Sequence, residues 1–187
     1  MRTLATALAV CAVLCTVAAA NPSGDDWVYL TFDQNGDPNH NEITPAPYST
    51  VNCFLVAELI MYGLEGFTTM SFRLSNPVLE YPGVVATADF VNLLPGGLAI
   101  GSWDTGLTVA STECLSNYPV TVGYLSCFYL GGNCSLRILD HPDYPKWVVD
   151  CQDPGHVLYY VVLNDAYIQA GSPVEDVSWA AVKSLYR

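Results

Sequence analysis

The chain has 187 residues, 51% of them hydrophobic, with 6 basic and 18 acidic side chains and a formal net charge of −12. That length suits one domain with a proper core. A field of that sign repels nucleic acid and anionic lipid, which are held by clustered Lys and Arg.

Met1-Arg2 is a minimal positive start, and residues 4–19 are apolar apart from Thr6 and Thr16. Ala18-Ala19-Ala20 supplies the small-residue pattern that signal peptidase reads. Residues 1–20 are therefore expected to be a cleaved export leader, with the mature chain starting at Asn21. The apolar run is shorter than the roughly 20 residues of a spanning helix, and no later stretch is long and apolar enough to cross. Loss of Arg2 leaves five basic residues against 18 acidic ones, a net charge of −13. The expected location is extracellular or the outer cell surface, with a periplasm as the other compartment a leader allows.

Residues 27–32 (WVYLTF) read as a first strand, followed by a polar loop over 33–47. Residues 51–61 are a long apolar run that periodicity alone allows to be a buried helix. Its β-branched and aromatic members and its flanking turns favour a buried strand. Over 66–75 the pattern alternates, Met70, Phe72 and Leu74 against Thr69, Ser71 and Arg73, the period of a half-buried strand. Turns at Asn76-Pro77, Tyr81-Pro82-Gly83, Leu94-Pro95-Gly96-Gly97 and Asn117-Tyr118-Pro119 separate further strands over 84–93, 98–103 and 120–130. Residues 135–139 and 147–150 read as a hairpin around a Pro-rich turn, and 157–163 as the last strand. Many short strands at close spacing predict an all-β fold of roughly eight to ten strands over residues 25–169. The form expected is an antiparallel β-sandwich, jelly-roll or immunoglobulin-like.

Residues 21–170 are thus expected to form the sandwich domain, 171–177 a linker and 178–187 a short C-terminal helix. Ser178 can cap that helix, and Trp179, Val182 and Tyr186 share one face of it. Lys183 and Arg187 suit its C-terminal end. A helix of under three turns is marginal in water, so it must dock.

Cys11 and Cys15 leave with the leader, and Cys53, Cys114, Cys127, Cys134 and Cys151 remain in an oxidising compartment. Five is odd, so at least one thiol is free or pairs with another chain. Cys134 and Cys151 stand just outside the expected hairpin and form the first expected pair. Cys114 and Cys127 flank a turn–strand unit and form the second, leaving Cys53 as a buried thiol. No C-x-x-C spacing points to zinc.

The ending Ser178-Trp179-Ala180-Ala181-Val182-Lys183-Ser184-Leu185-Tyr186-Arg187 resembles a tail of the form SWGxhKxLYR, h being aliphatic, with Ala180 in place of the Gly. That tail closes many secreted bacterial proteins of unassigned activity. The likeness extends to the strand ending in Asp33, to the segment 63–67 and to the stretch 134–151. The glycine-led segment over 66–79 is similar to that of cohesin-type and carbohydrate-module sandwiches. The resemblance implies secretion and a cohesin-like sandwich. It also makes Trp179, Val182, Lys183, Leu185, Tyr186 and Arg187 the residues that sorting or anchoring machinery would read. The competing reading has Trp179 and Tyr186 plugging one end of the sandwich.

Asp33, Asn35, Asp37, Asn39 and Glu42 alternate side-chain oxygens as a calcium loop does. An EF-hand is excluded, because Pro38 occupies the position of its invariant glycine and Thr44 the twelfth position. An Asn/Asp/Gly turn between strands is the simpler reading, and no cofactor is required. His141 between Asp140 and Asp143 reads as part of a tight turn. No nucleophile, P-loop or zincin motif is present. Aromatics in turns or near strand ends (Tyr62, Tyr81, Trp103, Tyr118, Tyr144, Trp147) suit stacking on sugars or anchoring in a protein interface, the other reading being that they fill the core or cover the sandwich edges.

The function expected is therefore a secreted or surface-displayed, non-catalytic binding domain for protein or carbohydrate. The alternative class is a glycosidase-like hydrolase with paired carboxylates. Amino-terminal sequencing of the exported protein should read Asn-Pro-Ser-Gly; a sequence beginning with Met1 defeats the leader assignment.

Overall fold

The structure is a computed structural model that describes residues 26–59, 66–152 and 155–171. The two-residue period read over 66–75 becomes strand β4 (Phe67–Leu74), in which Met70, Phe72 and Leu74 are buried. Ahead of it lie β1 (Asp26–Thr31), β2 (Glu42–Ile43) and β3 (Ser49–Leu59). After it come α1 (Pro77–Glu80), β5 (Val85–Asn92), β6 (Leu98–Ser102), β7 (Gly106–Leu115) and β8 (Val120–Tyr129). The chain continues through β9 (Cys134–Leu136), β10 (Ile138–Leu139), β11 (Trp147–Asp150), β12 (Val157–Tyr159), β13 (Val161–Val162) and β14 (Ala166–Ile168).

Two sheets form the sandwich. One runs β13-β1-β3-β8-β5, and the other runs β12-β11-β4-β7-β6 with β10 also paired to β4. A small third sheet, β2-β14-β9, closes one end. All pairings are antiparallel except β1 with β13 and β14 with β2. Val28, Leu30, Leu55, Val122 and Leu125 from the first sheet meet Met70, Phe72 and Val109 from the second, each at most 1% exposed. Phe72 packs edge-on against Phe90 with ring centroids 5.4 Å apart. Removing either ring would leave a cavity costing about 3–5 kcal/mol. The described part of the run, residues 51–59, is strand β3 rather than helix, because both its faces meet protein: Cys53, Leu55 and Ala57 on one, Val56 on the other.

The fourteen strands among the described residues exceed the expected eight to ten because two expected strands divide, 135–139 into β9 and β10 and 157–163 into β12 and β13, and because β2, β7 and β14 are added. The expected last strand breaks at Tyr160, which turns inward and donates its hydroxyl to Ser71 O at 2.9 Å. Val157–Tyr159 thereby joins one sheet and Val161–Val162 the other. Strand β7 is not among the expected strands, since its outward Thr108 and Ala110 dilute the hydrophobic signal of Leu107 and Val109. The Asn76-Pro77 turn is a helix start: Asn76 Oδ1 accepts from Val78 N and Leu79 N, and Pro77 needs no donor there. No helix among the described residues is long and apolar enough to cross a membrane. The expected leader, linker and C-terminal helix lie outside the described residues.

The expected hairpin and both expected disulfides are corrected. β9 leaves for the third sheet, while β10 and β11 pair successively along β4, at Leu74 and Arg73 and then from Met70 to Phe67. Cys134 and Cys151 are therefore not cross-strand neighbours. The bond joins Cys114 to Cys151, with Cα atoms 5.6 Å apart and a sequence separation of 37. Leu115 of β7 and Asp150 of β11 both pair with Phe67, the first residue of β4. Beyond that end only Gly66 separates the flanking strands. Gly66 has φ +142°, and a Cβ there would lie 2.6 Å from Leu115 O and 2.8 Å from Cys114 Sγ. The missing side chain lets the disulfide close over the end of β4.

Cys53, Cys127 and Cys134 are free and buried. Burial first, then the neighbouring thiols, pushes Cys53 well up, while Cys127 rises to about 12 and Cys134 to about 11. They behave as small apolar side chains, not nucleophiles. A chain starting at Asn21 should show no reactive thiol when native and three when unfolded without reductant. The pairing expected from the sequence predicts one. Cys114→Ser should cost about 2–4 kcal/mol in denaturant unfolding.

Candidate functional site

Because β4 alternates from Thr69 to Leu74, beyond an irregularity at Phe67, Thr69 and Ser71 point away from the core. Register then sets their neighbours. Leu98, Ala110, Thr69, Val149 and Val157 stand side by side across β6, β7, β4, β11 and β12. The adjacent row contains Ile100, Thr108 and Ser71, continued by the Trp147–Tyr159 pair. None of these ten residues is charged. β4 and β7 carry short side chains here, and Ile100, Tyr144, Trp147 and Val157 rise around them, so the face holds a shallow trough of about 380 Å³. Its floor includes Ser71 and Thr108, whose hydroxyl oxygens lie 2.9 Å apart. Its walls are open to solvent: Leu98 is 58%, Ile100 61% and Tyr159 61% exposed. Large apolar side chains left together in water at this density mark an interaction surface.

The outer face of the other sheet is mixed, with Phe54, Tyr124 and Val91 aligned in one row beside more polar ones. There Thr50, Phe128 and Thr87 form one row, and Asn52, Ser126 and Asp89 the next. A polar and charged row of that sort is comfortable in water.

The 140–146 turn shapes one end of the trough. His141 is 7% exposed, and its Nδ1 accepts from the backbone N–H of Asp143 and of Tyr144, both at 3.1 Å. The ring is thus committed to the turn, and Asp140 pairs instead with Lys146 at 3.5 Å. Tyr144 leans on Trp147 with centroids 5.0 Å apart. Trp147 Nε1 is buried without an acceptor among the described residues. Of the aromatics singled out in the sequence, Tyr144 and Trp147 reach this face. Tyr81, Trp103 and Tyr118 pack against the core, and Tyr62 lies outside the described residues. Leu98, Ile100, Val157 and Tyr159 escape sequence reasoning. Their only signal is apolar alternation in short strands, which equally describes a core-facing strand.

The calcium-like loop spends its carboxylates on its own backbone. Asp33 accepts from Asn35 N, Asn35 Nδ2 and Asp37 N, and Asp37 accepts from Asn39 N and Asn39 Nδ2. These bonds, first from the Asn35 and Asn39 backbone respectively, hold both carboxyls below the usual range. Among the described residues no three His, Cys, Asp or Glu side chains gather as metal ligands.

Asp104 is also held low, chiefly by the Ser102 hydroxyl. Asp150 is 2% exposed, and burial pushes its carboxyl up. Bonds from His156 N at 2.7 Å, the His156 ring at 3.1 Å and Gln152 N at 3.2 Å outweigh that and leave it low. Among the described residues all four shifted carboxyls move downward, the opposite of a general acid in a glycosidase pair. Trp179, Val182, Lys183, Leu185, Tyr186 and Arg187 lie outside the described residues.

No protein-family description and no curated protein matches the sequence. Among solved structures the chain is similar to three cohesins. The sixth cohesin of Acetivibrio cellulolyticus scaffoldin B, in complex with a Cel5 dockerin, is 9% identical with a TM-score of 0.49, covering 78% of this chain and 99% of that one. The seventh ScaB type I cohesin of Pseudobacteroides cellulosolvens is 10% identical with a TM-score of 0.48, covering 80% and 96%. A type I cohesin–dockerin complex of Clostridium thermocellum is 9% identical with a TM-score of 0.50, covering 82% and 99%. At this identity the likeness is one of fold: a cohesin-like antiparallel sandwich.

Asp150 fastens the turn that carries β12, one wall of the trough. Its depressed pKa contributes stability that is complete above the ordinary aspartate value of about 4. That contribution is lost as the pH falls through the lower folded value. Asp150→Asn should lower Tm at pH 7 and flatten its fall between pH 5 and pH 2, measured by circular dichroism; an unchanged acid limb contradicts this role.

Proposed function

We propose that this chain is a non-catalytic protein-binding module that docks its partner on the trough formed by β12, β11, β4, β7 and β6. The observation that carries the reading is the uncharged, solvent-open double row from Leu98 and Ile100 to Val157 and Tyr159 on a chain otherwise rich in acids. Two aromatic rings, Tyr144 and Trp147, stand at one end as anchors of the kind that dominate protein interfaces. The exposed aliphatic walls favour protein over carbohydrate, since a sugar needs polar partners and flat rings. The fold-level likeness to cohesins, two of them captured with dockerins, supports the same reading.

The rest of the chain fits an extracellular setting. We propose that residues 1–20 direct export, that the module acts outside the cell or at its surface, and that residues 178–187 serve as a sorting or anchoring address. Deleting Ser178–Arg187 should release a folded domain from the surface into the medium or periplasm. An unfolded product means that the tail belongs to the core.

The face itself is tested by Ile100→Asp. Burying an isoleucine contributes about 2 kcal/mol, so the variant should retain its Tm and lose at least tenfold in partner capture. The assay is crosslinking on the surface of the host cell. Equal capture by the wild type and the variant removes the trough from the binding site.

A further inference from the structure

Sheet edges left bare are templates for another strand, and folded proteins blunt them with charge, proline, bulges or brevity. The free edges of the two main sheets follow this rule with one exception. β13 has two residues and β12 has three. β5 carries Asp89 and a register shift between Val85 and Thr87. β6 has none of these devices. Its five residues, Leu98-Ala99-Ile100-Gly101-Ser102, are uncharged and free of proline, and each is exposed. They pair with β7 from Leu98–Ala110 to Ser102–Gly106 without a shift, and the backbone departs from the extended form only at Gly101, φ +99°, near the end of the strand. Its other side pairs with nothing among the described residues.

The surroundings of that edge define what fits it. Leu98 and Ile100 are both the edge and the wall of the trough, so a strand added there would extend the same apolar rows by one position. At one end of β6 stands Asp104, and at the other Thr112 N bonds Pro95 O, which brings the exposed Glu113 alongside. Among the described residues Arg137 pairs with Glu80 and Lys146 with Asp140, and Arg73, on β4, stands two strands in from this edge. The chain as a whole carries −12. Two copies would repel across this edge, whereas a cationic segment would be drawn to it.

We infer that β6 receives an extended segment of a basic protein partner by strand addition, with apolar residues at alternate positions and Lys or Arg at its ends. The inference rests on the trough being the docking face and specifies how the partner enters it. Main-chain hydrogen bonds to β6 supply the affinity, and the alternate side chains that continue the rows supply the selectivity.

The probe is a displayed library of random dodecapeptides panned against the full chain, followed by synthesis of the enriched peptides. Enrichment of alternating apolar residues flanked by Lys or Arg is expected. N-methylation of the peptide backbone should weaken binding at least tenfold in one alternate set of positions and little in the other. Ala99→Lys is the protein-side control. Ala99 opposes the buried Val109, so its side chain points off the trough side, and a lysine there obstructs an incoming strand without altering the trough. It should weaken the same peptides at least tenfold at unchanged Tm. Peptides indifferent to N-methylation and to Ala99→Lys, but lost with Ile100→Asp, overturn strand addition and leave the trough as the site. Indifference to all three overturns both readings. Concentration-dependent dimerisation of the wild type that Ala99→Lys abolishes replaces the basic partner with a second copy and overturns the inference.

Discussion

The two-residue period of β4 is the constraint on which the rest of this molecule depends. Met70, Phe72 and Leu74 face inward and Thr69, Ser71 and Arg73 outward, and β7, β10 and β11 all take their register from this one strand. A slip of one residue would place Thr69 and Ser71 in the core and Met70 and Phe72 in water. The inward set anchors the contact between the sheets through Phe72 and Phe90. Thr69 and Ser71 of the outward set make the low floor that turns five strands into a trough. Core and candidate binding face are opposite sides of the same alternation.

The ends of β4 matter as much as its middle. At its start Gly66 removes a side chain where Cys114 and Cys151 must meet, tying β7 to β11. Near its end Ser75 Oγ accepts from Arg137 N, and Asn76 caps α1 while its Nδ2 donates to Asp104. The second sheet is thus fastened at both margins, by a covalent bond and by a polar cluster. Between them the outward residues are left free of structural duty. Rigid support around an unoccupied apolar surface is what a preorganised binding face needs.

Polar chemistry is used throughout to hold turns. Asp33 and Asp37 fold the first loop onto their own amides, His141 ties the 140–146 turn, and Asp150 closes the turn before β12. Asp33 and Asp37 read as a calcium-like loop in the sequence because Asp and Asn serve both purposes. The difference lies in where their lone pairs point. Here they point at backbone N–H groups that would otherwise be unpaired.

What the sequence determined alone was local. Alternation over 66–75, apolar runs and Gly or Pro turns were enough for an all-β sandwich and for most strand positions, because a strand's period and a turn's stereochemistry are properties of a few neighbouring residues. The disulfide partner, the splitting of the last strand at Tyr160 and the composition of the trough were decided only by the tertiary structure. Cys114 finds Cys151 because both strands pair with Phe67. Leu98, Thr69, Val149 and Val157 form one row because four separate registers coincide. Register is set by packing between distant segments, and it carries no local signature in the chain.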